Sequence, residues 1–190
     1  FRFSMLSSIK ITNHRFDAVI AVSETGRAEL KQYFNLNKIH VIYNGVDTNL
    51  FRPGLDERFR RGKPQFLFVG NLYEHKKVEE LIFALKELVK AYPKAHLQIV
   101  GGGYAYAKLE NIVSRLKLQD HVSFAGFIPY SELPHYYSSC DVYVTASRCE
   151  LFPLPLIEAW ACGKPVAASR IPAHRELLTK SKAGGLYKVA

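Results

Sequence analysis

VTASRCELFPLPLIEAWACGKPVAAS, residues 144–169, is the stretch that decides the fold of this chain. An apolar strand over Asp141 to Thr145 enters it, and Pro155 predicts the start of a helix, because proline suits a first helical turn and no interior position. Gly163 is typical of a helix C-terminus, and Val166-Ala167-Ala168 predicts the next buried strand. The stretch therefore predicts a strand–loop–helix–strand corner of an α/β sheet.

Two carboxylates, Glu150 and Glu158, mark this corner, with seven residues between them. Glu150 falls in the predicted loop, and Glu158 lies one turn into the predicted helix among apolar residues. An unpaired charge there would be costly, so we expect Glu158 to have a polar partner such as hydroxyls or a cation. A carboxylate at a helix N-terminus also acts as a cap, which would explain one acid but not the second. Open α/β sheets usually bind ligands at such corners.

Strands and helices alternate over most of the chain. Val78 to Ala91, for example, carries apolar residues at helical spacing, at positions 78, 81, 82, 85, 88 and 89. This alternation predicts a doubly wound parallel sheet of the α/β class. From Pro64 onward we expect strands at 65–69, 97–100, 122–124, 142–145 and 166–168, helices at 78–91, 104–116, 131–139 and 155–161, and a turn at 183–185.

Before Pro64 the pattern is less regular. We expect a helix within residues 1–14, a strand over Asp17 to Ser23, and a second strand over His40 to Tyr43. Ser23 should cap a helix whose buried side comprises Ala28, Leu30 and Phe34. The charged segment 47–63 shows neither the strand period of 2 nor the helical period of 3.6, so it predicts a linker. We therefore place a domain boundary between residues 52 and 53.

Composition narrows the class of protein. The 190 residues are 48% hydrophobic, with a net charge of +9 that favours polyanionic partners, although a solvated basic surface explains it equally well. Three cysteines without C-x-x-C spacing predict reduced thiols in or beside buried elements and a cytoplasmic protein. No apolar run is long enough to span a membrane, no histidine spacing or D-x-D indicates a metal site, and a start at Phe1 indicates a piece of a longer protein.

Three further corners could hold a ligand. The first is Gly70 to Lys77, where glycine at the end of a strand lets a ligand approach the backbone. Lys76 and Lys77 come just before the N-terminus of the next predicted helix. Either lysine could pair with a phosphate or simply be exposed. The second is Gly101-Gly102-Gly103, which does not match the glycine motif of dinucleotide-binding domains. It is either a tight strand-to-helix turn or a place where backbone amides approach a phosphate. The third, Ala125 to Pro129, allows a structural or a base-binding role.

In order, the chain contains VIAVS (19–23), VIYNGVD-x-x-x-F-x-P (41–53), FLFVGNLYEHKKVEELIFAL (66–85), IVGGG (99–103), VSFAGFIP (122–129), HYYSSCDVYVTAS (135–147), and E-x7-E leading into EAWACGKPVAAS and Glu176. With these stretches the chain resembles the retaining glycosyltransferases of GT-B fold known as glycosyl transferases group 1, or family 4. The resemblance covers over four fifths of the chain. It implies two Rossmann-like domains, with residues 1–52 as the end of an acceptor domain and linker and 53–190 as the nucleotide-sugar donor domain.

The resemblance also implies roles for individual residues. Glu150 would lie near the transferred sugar, Glu158 would bind the ribose hydroxyls, and Lys76 would contact the diphosphate. The resemblance gives Glu150 and Lys76 the catalytic roles, and it extends donor binding to Glu158, Gly70, Asn71, Lys77, Gly101, Phe127, Ile128, Phe152, Leu154 and Glu176. The family usually has arginine where this chain has Asn71, so Lys77 or Arg148 would have to supply the missing cation. The family glycine at position 153 is a proline, and its Gly-Gly before Glu176 is Pro172-Ala173.

The resulting hypothesis is a metal-independent hexosyltransferase without a cofactor. It would transfer mannose in preference to other hexoses, from GDP-mannose rather than a UDP-sugar, to a glycan or lipid-linked acceptor with retention. Basic charge would suit peripheral contact with an anionic membrane, and nucleic acid is not expected as a partner, because the cations are scattered. Two alternatives stay open, namely a degenerate nucleotide-sugar-binding module, which Asn71 favours, and another GT-B enzyme such as a sugar-nucleotide epimerase.

Overall fold

A computed structural model describes residues 16–181 and 183–187 of the chain. The helix expected within residues 1–14 lies outside the described residues. The chain divides into two compact units, residues 1–45 and 46–190. Phe51 is completely buried in the core of the second unit, and the boundary expected between residues 52 and 53 stays a prediction.

The first unit contains a pair of parallel strands, β1 (Val19–Ala21) and β2 (Ile39–Val41), joined through helix α1 (Glu24–Leu30) and a short 3₁₀ turn. Ser23 caps α1 as expected, since its Oγ accepts a hydrogen bond from the Gly26 amide at 2.9 Å. The expected buried side of α1 was wrong at Ala28, which is exposed, whereas Gly26 is buried.

The second unit is a six-stranded sheet of order β5-β4-β3-β6-β7-β8, and neighbouring strands pair in parallel. The doubly wound parallel sheet is therefore confirmed. Its strands are β3 (Gln65–Val69), β4 (His96–Val100), β5 (Val122–Gly126), β6 (Val142–Thr145), β7 (Val166–Ser169) and β8 (Gly184–Tyr187). Its helices are α2 (Val78–Ala91), α3 (Tyr106–Arg115), α4 (Leu133–Ser139), α5 (Leu154–Ala161) and α6 (Pro172–Ser181).

Helices lie on both faces of this sheet, and each face has its own hydrophobic core. Helices α2 and α3 pack on one face, where the core includes Phe68, Ile82 and Leu109. Helices α4, α5 and α6 pack on the other, where the core includes Tyr137 and Leu156. Apolar side chains at helical spacing produce the buried sides of these helices.

The last part of the chain differs from expectation. The sequence analysis missed α6, and the turn expected at 183–185 is wrong, because Gly184 begins strand β8 beside β7. A Cβ atom at Gly184 would lie 2.3 Å from the Val166 carbonyl oxygen, so glycine here allows close strand packing rather than a turn. The indole N–H of Trp160 on α5 donates to the Ala183 carbonyl at 2.9 Å, just before β8.

The three cysteines carry free thiols. Cys140 and Cys162 are buried as expected, and burial raises the pKa of the Cys140 thiol to about 12 and that of Cys162 to about 11. Cys149 is exposed in the loop beside Glu150, so the expectation that it lies in or beside a buried element was wrong. Among the helices of the described ranges, none is both long and apolar enough to cross a lipid bilayer.

Candidate functional site

The sheet changes winding direction between β3 and β6. From β3 the chain proceeds to β4 and β5 on one side, and from β6 it proceeds to β7 and β8 on the other. Loops leaving such neighbouring strands diverge and leave a crevice at their carboxyl ends, where open α/β sheets bind ligands. The segment Gly70 to Lys77 leaves β3 at this point, and the segment carrying Glu150 leaves β6.

Lys76 and Glu150 meet across this crevice. The Lys76 ammonium donates to Glu150 Oε1 at 2.5 Å, and the two side chains are only 20% and 15% exposed. The Arg148 amide donates to the His75 carbonyl at 2.8 Å, so the two loops are also joined through their backbones. The two residues that the sequence analysis selected as catalytic therefore form one mostly buried ion pair.

Glu158 is the fifth residue of α5 and is 7% exposed. Its expected polar partner within the protein is Tyr137, whose hydroxyl donates to Glu158 Oε2 at 2.6 Å. Burial raises the pKa of the Glu158 carboxyl, and the hydrogen bond from Tyr137 opposes this shift. The sequence analysis missed Tyr137, although its place in the apolar run before β6 indicated a buried hydroxyl that needs an acceptor. Oε1 accepts no hydrogen bond from the residues the structure describes and keeps contact with solvent.

A groove of about 200 Å³ opens beside this crevice, at the ends of β3, β4 and β5. Phe127 projects into solvent there with 79% of its surface exposed. The groove brings together five of the expected donor-binding residues, and its lining comprises Val69, Gly70, Asn71, Val100, Gly101, Gly126, Phe127, Ile128, Tyr130 and Leu133. An open groove with an exposed aromatic ring fits a flat heterocycle.

Gly101 holds the floor of this groove in place. Its φ of +120° lies in a region that side chains rarely adopt, and a Cβ atom there would lie 2.1 Å from the Gly70 carbonyl oxygen. The backbones after β3 and β4 can therefore approach each other only because residue 101 is glycine.

Replacing Gly101 by alanine should lower the free energy of unfolding by about 2–4 kcal/mol, because the backbone must move to relieve the clash and the strained φ. Urea denaturation followed by circular dichroism measures this change. Gly185→Ala is the matched control, since nothing lies within 4 Å of a Cβ atom there, and it should change stability by less than about 0.5 kcal/mol. Equal effects from both substitutions would contradict the role given to Gly101.

The remaining expected residues lie around the crevice. Lys77 pairs with Glu79 at 3.6 Å and Arg148 with Glu80 at 3.2 Å, so both cations contact carboxylates at the start of α2. Leu154 opens α5 and is exposed. Phe152 and Glu176 are half-buried, the first beside the α5 core and the second on α6.

His174 is a buried residue near this site that the sequence analysis missed. It is completely buried, its Nδ1 lies 2.8 Å from the Ser169 carbonyl, and its Nε2 has no hydrogen-bond partner among the described residues. Burial lowers its pKa, so the imidazole is neutral at pH 7, and the charges of Glu150 and Lys76 act on it in opposite directions. A neutral imidazole therefore lies behind the ion pair.

Within residues 16–181 and 183–187, no group of three or more histidine, cysteine, aspartate or glutamate side chains is arranged to hold a metal ion. The carboxyl-terminal edge of the sheet carries a lysine–glutamate ion pair, a second buried carboxylate and a groove with an aromatic ring. Fold and site together define the class as a Rossmann-like α/β domain whose candidate ligand site lies at the switch point of the sheet.

The chain belongs to the family of glycosyl transferases group 1, whose sequence profile matches residues 56–190. The profile of Glycosyltransferase Family 4 matches residues 2–50.

Two of the curated proteins similar to this chain are named as mannosyltransferases. It is 34% identical to the O-antigen chain mannosyltransferase RfbU of Salmonella typhimurium, over 98% of this chain and 50% of that protein. It is 32% identical to the GDP-mannose-dependent alpha-(1-6)-phosphatidylinositol monomannoside mannosyltransferase of Mycolicibacterium smegmatis, over 88% of this chain and 48% of that protein. The chain thus spans about half the length of these curated relatives.

Among solved structures, Anabaena Alr3699/HepE in complex with UDP and glucose superposes with a TM-score of 0.88 at 25% identity. The match covers 99% of this chain and 54% of that one. The GT-B type of fold expected from the sequence is therefore confirmed.

Proposed function

We propose that this chain is the donor-binding part of a retaining glycosyltransferase that moves a hexose from a nucleotide-diphosphate sugar to a glycan or lipid-linked acceptor. The observation that carries the proposal is the Lys76–Glu150 ion pair at the switch point, with Glu158 and an open aromatic groove at the same sheet edge. A charged and partly desolvated ion pair lies beside a groove that fits a nucleotide base. This arrangement suits a reaction that separates a diphosphate from a sugar.

Lys76 is assigned to the leaving diphosphate. At an effective dielectric constant of about 20, an ammonium group 4 Å from one phosphate charge gains roughly 4 kcal/mol, which favours departure of the diphosphate. Lys76 is 20% exposed, so a ligand oxygen can compete with Glu150 for its protons. The dipole of helix α5 adds positive potential at its first turn, and we propose that Lys76 and this dipole act without a metal ion or another cofactor.

Glu158 is assigned to the ribose. Tyr137 occupies one carboxylate oxygen at 2.6 Å and leaves Oε1 to accept from a hydroxyl group. The base would lie in the groove against Phe127 and Ile128 and beside Asn71, where Gly70 and Gly101 allow close approach of the backbone. GDP is proposed over UDP because two mannosyltransferases are among the relatives, whereas the HepE complex, which contains UDP and glucose, favours the alternative.

Glu150 is assigned to the reacting centre, where its carboxylate would orient the sugar or stabilise positive charge at the anomeric carbon. This role requires Lys76 to move toward the diphosphate when donor binds, since the two side chains are in contact. The backbone at Phe152 and Leu154 and the side chain of Glu176 complete the proposed donor site. We further propose that the protein is cytoplasmic and contacts an anionic membrane peripherally where its acceptor is lipid-linked.

A binding module without catalysis is the second candidate, and Asn71 is the observation that favours it. Lys77 and Arg148, the cations proposed to replace the missing arginine, contact Glu79 and Glu80 instead of pointing freely into the crevice. Binding of donor by this chain without transfer by the full-length protein would support this candidate. An epimerase would instead isomerise the sugar nucleotide in the absence of acceptor.

Calorimetric titration of the 190-residue chain with GDP, UDP, GDP-mannose and UDP-glucose tests the site. One nucleotide family should bind, and Phe127→Ala should weaken it about 5- to 150-fold, because stacking a base on an aromatic ring contributes roughly 1–3 kcal/mol. Phe83→Ala removes an exposed ring from α2, outside the groove, and should leave affinity unchanged. Failure of a folded chain to bind any of the four compounds, or an equal loss in both variants, would overturn the site assignment.

A further inference from the structure

A second pocket lies at the opposite edge of the sheet, where β3, β4 and β5 begin. Its volume is about 450 Å³, within the range of small-molecule sites. It lies one strand length, about 13 Å along β4, from the crevice that holds Lys76. Its lining comprises Arg60, Arg61, Gly62, Lys63, Pro93, Lys94, Ala95, His96, Asp120 and His121.

Three cations of this lining have no carboxylate partner. Among the residues that the structure describes, the side chains of Arg61, Lys63 and Lys94 make neither an ion pair nor a hydrogen bond. Arg60 differs, because Glu57 and Asp141 neutralise it. The pocket also contains the carboxylate of Asp120, so its unpaired side chains sum to two positive charges with the histidines neutral.

The backbone holds these cations together. A Cβ atom at Gly62 would lie 2.3 Å from the Lys94 carbonyl oxygen, and the Lys63 amide donates to that same oxygen at 2.8 Å. The Arg61 amide donates to Gln65 Oε1 at 2.5 Å. Two chain segments about thirty residues apart are thus fastened side by side, and both contribute cations to the lining of the pocket.

The histidines of the pocket are engaged with the protein. His96 Nε2 lies 2.8 Å from Ser123 Oγ, and His121 Nδ1 lies 3.0 Å from the Ala95 carbonyl. Burial lowers the pKa of His96, so this imidazole is neutral at pH 7. Arg61, Lys63 and Lys94 supply positive potential to the pocket at that pH.

From this geometry we infer that the pocket binds the phosphate group of a small phosphorylated ligand, either a soluble phosphate ester or the headgroup of an anionic lipid. Three exposed and unpaired cations around one pocket attract a doubly charged phosphate more strongly than a singly charged anion. This site is separate from the donor crevice and does not depend on the proposed function.

The test titrates the 190-residue chain with inorganic phosphate, with glycerol phosphate, and with phosphatidylglycerol/phosphatidylcholine vesicles at fixed ionic strength. A triple variant, Arg61→Gln, Lys63→Gln and Lys94→Gln, should lose at least tenfold in affinity for the binding probe. The matched control, Arg115→Gln, Lys117→Gln and Arg175→Gln, removes the same charge from exposed positions outside the pocket and should lose less than twofold. Lys76→Gln should also keep the affinity, which separates this site from the donor crevice.

Each outcome decides the inference. Binding of soluble phosphates identifies a metabolite as the source of the ligand, whereas binding of vesicles alone identifies a lipid headgroup. Equal losses in the two triple variants would reduce the effect to net charge and overturn the inference. Binding that disappears in Lys76→Gln, or a folded wild-type chain that binds none of the three probes, would also overturn it.

Discussion

Replacing Lys76 by methionine should lower the turnover of the full-length protein on its nucleotide-sugar by about 10²–10³-fold, the usual effect of removing one group that stabilises charge developing in a transition state. Methionine keeps most of the length of the side chain and removes its charge and its hydrogen-bond donors. The variant should also be less stable by about 1–3 kcal/mol, because Glu150, 15% exposed, keeps a charge without its partner.

A second substitution separates these two effects. The double variant Lys76→Met/Glu150→Gln no longer buries an unpaired charge, so it should regain stability without regaining turnover. Lys90→Ala, at an exposed lysine on α2, is the control and should keep full activity. Recovery of turnover in the double variant would show that neither the Lys76 charge nor the Glu150 carboxylate acts in the reaction, and both catalytic assignments would then be wrong.

Replacing Glu158 by glutamine should stabilise the chain at pH 7 and weaken donor binding about 10- to 150-fold, since a hydrogen bond to a charged acceptor contributes roughly 1.5–3 kcal/mol. Stability should rise because a buried carboxylate is exchanged for a neutral amide whose oxygen still accepts from Tyr137. A substitution that strengthens the fold and weakens the function would show that this acid is retained for its ligand.

The stability gain should depend on pH with a defined sign. Burial raises the pKa of Glu158 above its ordinary value of 4.5, so the folded chain holds this proton more tightly than the unfolded chain. The cost of the charged form is therefore complete above the raised pKa and disappears as the pH falls to 4.5. Urea denaturation at several pH values should show the advantage of Glu158→Gln shrinking over this interval.

Glu87→Gln serves as the control, because Glu87 is exposed on α2 and pairs with Lys90. It should change stability by less than about 0.5 kcal/mol at every pH, as surface substitutions usually do. If Glu158→Gln were less stable than wild type at pH 7, the charged carboxylate would be stabilising the fold and the interpretation of its pKa would be wrong.

The sequence predicts those elements whose residues repeat at a helical or strand period. Helix α2 has the bounds expected from its apolar spacing, because a helix with one buried side repeats apolar residues every three or four positions. The sequence of strand β8 shows no such repeating pattern. Its two glycines have the composition of a turn, and only the close approach of β7, at Val166, makes them part of a strand.

The site divides in the same way. Similarity to the family selected Lys76, Glu150 and Glu158, but their physical partners join residues far apart in the chain. The ion pair spans 74 positions and the hydrogen bond from Tyr137 to Glu158 spans 21, so neither follows from a local pattern. The unpaired cations of the second pocket escaped notice for the same reason, since pairing is a property of the folded chain.

Trp160 gives this domain an internal spectroscopic reporter. It is the single tryptophan of the chain, it lies on α5 two residues after Glu158, and its indole donates to Ala183 beside the edge strand β8. Its emission therefore reports on a defined place, where the helix bearing the proposed ribose ligand meets the last strand of the sheet. Release of β8 should expose the indole to water and shift its emission to longer wavelength, and a local change at α5 can be followed without a label.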